Sequence, residues 1–229
     1  VNDWIAALSR AAWRRGGAVL VDGRSGAGKS TLAAQIARLG PPGTALVHLD
    51  DFYPGWRGLQ AAARAVPALL GADPRYRRWD WDADRPAELV GVPSGRPLVI
   101  EGSGAITAAA TRSGAYSIWV DAPEPLRRYQ ALVRDGDGYA RSSWWAVWTA
   151  QEIAHERRDH PRELADAQVH WGGGRLVSLT VRATGYAAER TRRMRWNTGR
   201  RGLRLPTGRG GGVRTGGRHA QAGLRGAAR

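Results

Sequence analysis

Lys29 is the only lysine in a chain that otherwise takes its positive side chains from arginine. It stands where a compact ammonium has a chemical job. Gly23, Gly28, Lys29 and Ser30 follow the spacing G-x-x-x-x-G-K-[ST]. In such a loop the glycines let backbone N–H groups converge on phosphate oxygens, and the helix that follows points its positive end at them. Residues Gly23, Ser25, Gly26, Ala27, Gly28, Lys29, Ser30 and Thr31 form this cradle. Lys29 is placed to reach β- and γ-phosphates and the Ser30 hydroxyl to hold Mg²⁺. The implied ligands are ATP and Mg²⁺.

Three further acids end apolar runs: Asp50 after Thr44–Leu49, Glu101 after Pro97–Ile100, and Asp121 after Tyr116–Val120. A carboxylate near a phosphate site can accept a hydroxyl proton or help to hold magnesium, which takes one or two carboxylates alongside phosphate oxygens and water. Asp50 is a candidate base and metal ligand, with a helix cap as its alternative, and Glu101 is a candidate metal ligand, directly or through water, with a solvated strand-end carboxylate as its alternative. Asp51 is left between base and helix cap.

These residues need a scaffold that delivers strand ends to one edge. Asp3–Trp13 carries apolar residues at helical spacing, and Ala18–Val21 reads as a buried strand. Helices are expected over Lys29–Arg38, weakly over Leu59–Leu70, and over Pro123–Arg134 and Ser143–Arg158. Arg75 to Arg85 reads as an aromatic and charged loop. Apolar strands separated by crossover-length helices predict an α/β fold, a parallel sheet with helices on both faces. In such sheets ligands bind at the carboxyl edge of the strands.

The order of motifs resembles the uridine kinase family. A phosphate loop is followed by Asp50-Asp51-Phe52-Tyr53, then Trp79-Asp80-Trp81 with Arg85 after it, then an apolar strand ending Glu101-Gly102. More narrowly, Leu49 to Trp56 and Tyr76 to Trp81 look like small actinobacterial ATP-binding proteins related to that family. The resemblance covers residues 15–168. It implies a P-loop NTPase fold and transfer of the γ-phosphoryl of ATP to a hydroxyl of a nucleoside-like molecule such as uridine or cytidine. Asp50 matches the family's base, and Arg134 its arginine at the lid entrance. Tyr53, Trp79, Asp80 and Arg85 are implied to line the acceptor pocket, with Trp81 beside them. The chain departs from the family at Ala131, where an arginine is expected, and in Ser142-Ser143-Trp144-Trp145. Arg127 and Arg128 are read as a solvated helix face. A sugar or vitamin alcohol as acceptor, or a nucleotide-binding regulator without transfer, are the alternatives.

Composition bounds the rest. With no cysteine there is no disulfide and no thiolate metal site. No apolar run approaches the ~20 residues of a membrane span, and Val1–Arg15 does not read as a secretory leader. A cytoplasmic location is expected. The net charge of +15 is uneven: residues 171–229 hold 14 Arg and one Glu. From Gly199 to Arg229 there are ten Gly, eight Arg and no acid, a composition that leaves no core and is expected to be disordered. The chain is therefore divided into a nucleotide-binding domain, 1–170, and a basic tail, 171–229. The tail, short of aromatics in its Gly-rich part, is expected to touch nucleic acid only non-specifically if at all, or to be an extension without selected function.

Overall fold

Alternation along the strands sorts the core into two layers. In the computed structural model, which describes residues 3–135, 143–172, 175–182 and 192–194, Leu20, Ile100 and Trp119 pack on one side of a central sheet. Val19, Val21, Val99, Ile118 and Val120 pack on the other. Successive strand residues point to opposite faces, so strands apolar at every position must be covered twice. One cover is α1 (Asp3–Arg15) with α2 (Lys29–Arg38), through Trp4, Ile5, Leu8, Leu32 and Ile36. The other includes α3 (Leu59–Leu69) and α6 (Ser143–Asp159), through Leu59, Val66, Trp145 and Trp148.

The sheet strands are β1 (Ala18–Gly23), β2 (Ala45–His48), β5 (Leu98–Glu101), β6 (Tyr116–Asp121), β7 (Ala167–Gly172), β8 (Arg175–Val181) and β9 (Arg192–Met194). Their spatial order is β2-β5-β1-β6-β7-β8-β9. The first five run parallel, and β8 and β9 add antiparallel. The parallel α/β architecture expected from the sequence is the architecture observed. β1 sits at the centre, so the loop that leaves its carboxyl end is flanked by the ends of β5 and β6. Short helices α4 (Ala108–Thr111) and α7 (Pro161–Leu164) and the longer α5 (Glu124–Asp135) complete the described elements. Among the described residues no helix is long and apolar enough to cross a membrane.

Two expectations are corrected. Arg75–Arg85 is not a loop: β3 (Arg75–Asp80) and β4 (Arg85–Gly91) form a separate antiparallel hairpin. Asp80 Oδ1 accepts from the N–H groups of Asp82 and Ala83, each at 3.1 Å, and so closes its turn. The hairpin is largely exposed, so it lacks the apolar alternation that announces a buried strand. The domain boundary at 170 also falls inside β7, because β7 and β8 belong to the same sheet. Leu179 of β8 is buried in the core, and Trp171, Leu176 and Val181 pack against it. The Gly/Arg-rich stretch 199–229 lies outside the described residues.

Candidate active site at the phosphate loop

The loop between β1 and α2 can be built only with glycine at its tight points. Gly23 has φ 146°, and a Cβ there would stand 2.1 Å from the Val120 carbonyl oxygen. At Gly26, φ 75°, a Cβ would meet the Arg127 carbonyl oxygen at 2.1 Å. These collisions are with backbone, so no side chain can be accommodated by a rotamer change. α2 then starts at Lys29 without a side-chain cap, which leaves its first N–H groups facing the cleft. The Lys29 ammonium folds back over the loop, 3.2 Å from the Arg24 carbonyl oxygen and 3.4 Å from Ser103 Oγ.

The neighbouring strand ends bring the acids to this loop. β2 and β5 pair with His48 opposite Glu101, and His48 Nδ1 is 2.6 Å from Glu101 Oε1. Burial alone would raise the Glu101 carboxyl. The hydrogen bond from His48, the Lys29 charge and a hydrogen bond from the Ser30 hydroxyl carry it below the usual carboxylate value instead. The same contact raises His48. Asp50 lies in the single 3₁₀ turn Leu49–Asp51 that follows β2. It is open to solvent but walled by protein. That enclosure and the Glu101 charge raise its pKa, against the pull of Arg134, Lys29 and His48. No hydrogen bond engages the Asp50 carboxylate among the described residues. Asp51, by contrast, takes the hydroxyl of Tyr76, whose pKa is pushed up to about 12 by burial and this partner. Ser30, Asp50 and Glu101 thus offer hard oxygen donors beside one ammonium, a donor set that fits magnesium held together with phosphate oxygens and water.

A buried parallel strand, a loop with three glycines at positive φ, an uncapped helix start and a lysine folded over the loop decide the type. This is a P-loop fold. The chain is similar in structure to a possible uridine kinase from Bacillus stearothermophilus, with 18% identity, TM-score 0.49, and 72% of this chain and 97% of that one covered. It is similar also to a candidate fructose transport system kinase from Silicibacter sp. TM1040, with 20% identity, TM-score 0.47, and coverage of 73% and 98%. A third is the YGR205w protein, with 10% identity, TM-score 0.44, and coverage of 73% and 90%. No protein-family model and no curated protein matches the chain. These structural likenesses are loose, so the fold assignment rests on the chain's own loop and strand order.

The residues expected to form an acceptor pocket are not brought together as a pocket wall. Tyr53 is 1% exposed, and its hydroxyl donates to the Ser103 carbonyl at 2.8 Å while its ring meets Trp148 edge-on. It braces the core beneath Asp50. Asp80 closes the hairpin turn, and Arg85 is exposed opposite it in the hairpin register. Trp79 is half-buried in β3. Trp81 reaches Asp50 directly, its indole N–H donating to the Asp50 carbonyl at 2.8 Å. Trp56 meets Trp81 edge-on at 5.3 Å and stacks on Trp144 at 5.5 Å.

Beneath the loop lies a buried polar layer that the motifs did not indicate. Asp22 is fully buried and accepts from the N–H groups of Gly23, Gly104 and Ile106 and from His155 Nε2 at 3.0 Å. His155 Nδ1 is 2.8 Å from Asp159 Oδ2. Burial alone would lower the His155 pKa, but the bonds to Asp22 and Asp159 carry it above its ordinary value. Glu152 Oε1 accepts from the Ser25 N–H at 2.5 Å and from Ser103 Oγ at 3.0 Å, and burial raises its pKa. Arg127, expected on a solvated face, is 2% exposed. It donates to the Ser25 carbonyl at 3.1 Å and to the Ala122 carbonyl at 3.2 Å, and burial lowers its pKa. On the flank, Arg24 pairs with Glu156, which also takes Arg162, and Arg162 reaches Asp121 at 2.9 Å. One sequence signal marks α6: Trp145, Trp148, Glu152 and His155 are spaced at three and four residues, so an acid and a histidine share the buried stripe.

Proposed function

We propose that this protein binds ATP with magnesium at the P-loop and transfers the γ-phosphoryl group to a hydroxyl of a small molecule. The observation that carries this reading is the meeting of Lys29, Ser30, Asp50 and Glu101 at the carboxyl edge of β1, β2 and β5. Backbone N–H groups from Gly26 to Thr31 and the Lys29 ammonium hold the phosphates. Ser30, Glu101 and Asp50 would hold magnesium, which would neutralise charge at the phosphates. Asp50 takes the proton of the attacking hydroxyl. Its carboxylate has no hydrogen bond among the described residues and is open to that proton. Arg134 acts on Asp50 electrostatically and adds positive charge on the side where the transferred group passes.

A flat acceptor is favoured because Trp81, hydrogen-bonded to the Asp50 carbonyl, stands near the strand end with Trp56 against it, and aromatic faces stack on flat rings. A nucleoside such as uridine or cytidine is therefore the first acceptor to test, ahead of sugars and vitamin alcohols. ADP release with ATP and magnesium should appear with one of these acceptors. Asp50→Asn should lower it by ~10² or more while ATP affinity stays roughly the same. An Asp50→Asn protein with full turnover would refute the assignment of the base, and no turnover with any acceptor would favour a nucleotide-binding regulator.

A further inference from the structure

A cavity of about 410 Å³ opens among helices α3, α4 and α6 and shares no residue with the phosphate loop. Its size falls within the range of small-molecule sites. Three guanidiniums line it from three different elements: Arg64 of α3, Arg112 at the end of α4, and Arg158 in the last turn of α6.

They are held in part by the protein. In the amide orientation that satisfies both groups, the Gln60 oxygen accepts from Arg64 at 3.0 Å and from Arg158 at 3.2 Å. Arg158 also donates to Asp159 at 2.5 Å. The same Asp159 oxygen, Oδ2, also takes buried His155 Nδ1 at 2.8 Å, so that the carboxylate's charge is shared between two cations. Arg112 has no hydrogen-bond or ion-pair partner among the described residues. Apart from Gln60, Asp159 and the arginines, the lining is Ala63, Pro67, Thr107, Ala108 and Ala109, apolar in all but Thr107.

Guanidiniums lining one cavity match the oxygens of a phosphate dianion better than those of any neutral group. An apolar floor beside them suits a ligand with an organic body and not a bare anion. We infer that this cavity is a binding site for a small phosphomonoester, its phosphate held by Arg64, Arg112 and Arg158 and its organic part lying on the Ala63–Pro67–Ala108 floor. The site stands apart from the phosphate loop and does not depend on the reading of that loop as a kinase centre.

Calorimetric titration of phenyl phosphate into the full chain tests it, with inorganic phosphate and phenol as companions. The expected result is one saturable binding event for phenyl phosphate, weaker binding of inorganic phosphate, and none of phenol. The event should persist in Lys29→Ala, which separates it from the phosphate loop. In the Arg64→Gln/Arg112→Gln double variant it should weaken roughly tenfold or more, the scale of lost charge-assisted hydrogen bonds. Both positions are exposed, so the double variant should keep the wild-type melting temperature. Loss of the event in Lys29→Ala, its survival at full strength in the double variant, equal affinity for inorganic phosphate, or no event at all would overturn the inference.

Discussion

The two sides of the phosphate loop use the same residue types to opposite ends. Below it, Asp22 has four hydrogen-bond donors, Glu152 holds the Ser25 N–H, and Arg127 holds the Ser25 carbonyl. Above it, the Asp50 carboxylate has no hydrogen bond among the described residues, the α2 start has no side-chain cap, and the Lys29 ammonium rests on contacts of 3.2 and 3.4 Å. Hydrogen-bonded polar groups in a buried layer make a rigid seat, since each would cost free energy if moved, although Glu152 Oε2 is left without a partner. Under-engaged groups facing a cleft are left for a ligand. The loop's shape therefore comes from beneath, and its chemistry is directed outward.

The largest expected effect is on the lower side. Asp22→Asn should destabilise the fold by about 3–5 kcal/mol, the scale for breaking a buried pair, because His155 loses its charge partner and backbone donors lose an acceptor. A denaturant midpoint near wild type would show that the layer is not what seats the loop. Arg127→Ala should cost about 1–3 kcal/mol through the exposed Ser25 and Ala122 carbonyls, and should weaken nucleotide binding along with stability. Equal nucleotide affinity would separate the lower layer from the upper face.

Smaller effects sharpen the boundary between the two sides. Tyr53→Phe removes a buried hydroxyl from the Ser103 carbonyl and should cost about 0.5–1.5 kcal/mol with little change in acceptor KM. A large KM change would return Tyr53 to the pocket wall. For His155, the raised pKa means that its contribution to stability is fully present below about 6.5, the unfolded value, and fades as pH rises through the folded value. The groups facing it are Asp22 from β1 and Asp159 from its own helix, the latter also paired with Arg158. NMR titration of the imidazole should give a pKa above 6.5, and a value at or below it would mean that burial outweighs the two carboxylates.

The upper face was legible in the sequence because its chemistry depends on fixed local spacing. Gly23 to Thr31 occupies one loop, and Asp50 and Glu101 each end an apolar strand that announces itself by composition. Arg175–Val181 was also visible as a strand. The lower layer was not legible, because Asp22, Arg127, Glu152 and His155 come from three elements and meet only through the fold. Arg127 shows the limit well: on helix α5 it looks like a surface charge, yet the loop backbone lies against it. The hairpin β3–β4 was missed for the opposite reason, since an exposed strand carrying Pro86 and Glu88 has little apolar signal. Asp80 lay within the motif, but its carboxylate is engaged by the hairpin turn.

The most direct test of the central claim is calorimetric binding of ATP with magnesium to wild type and to Lys29→Ala, with melting temperatures measured on both. Among the described residues the Lys29 ammonium hydrogen-bonds only to the Arg24 carbonyl and Ser103. Its loss should therefore leave the melting temperature close to wild type. The account predicts saturable binding to wild type and loss of that binding in Lys29→Ala. Equal affinity in the two proteins, with both folded, would contradict it.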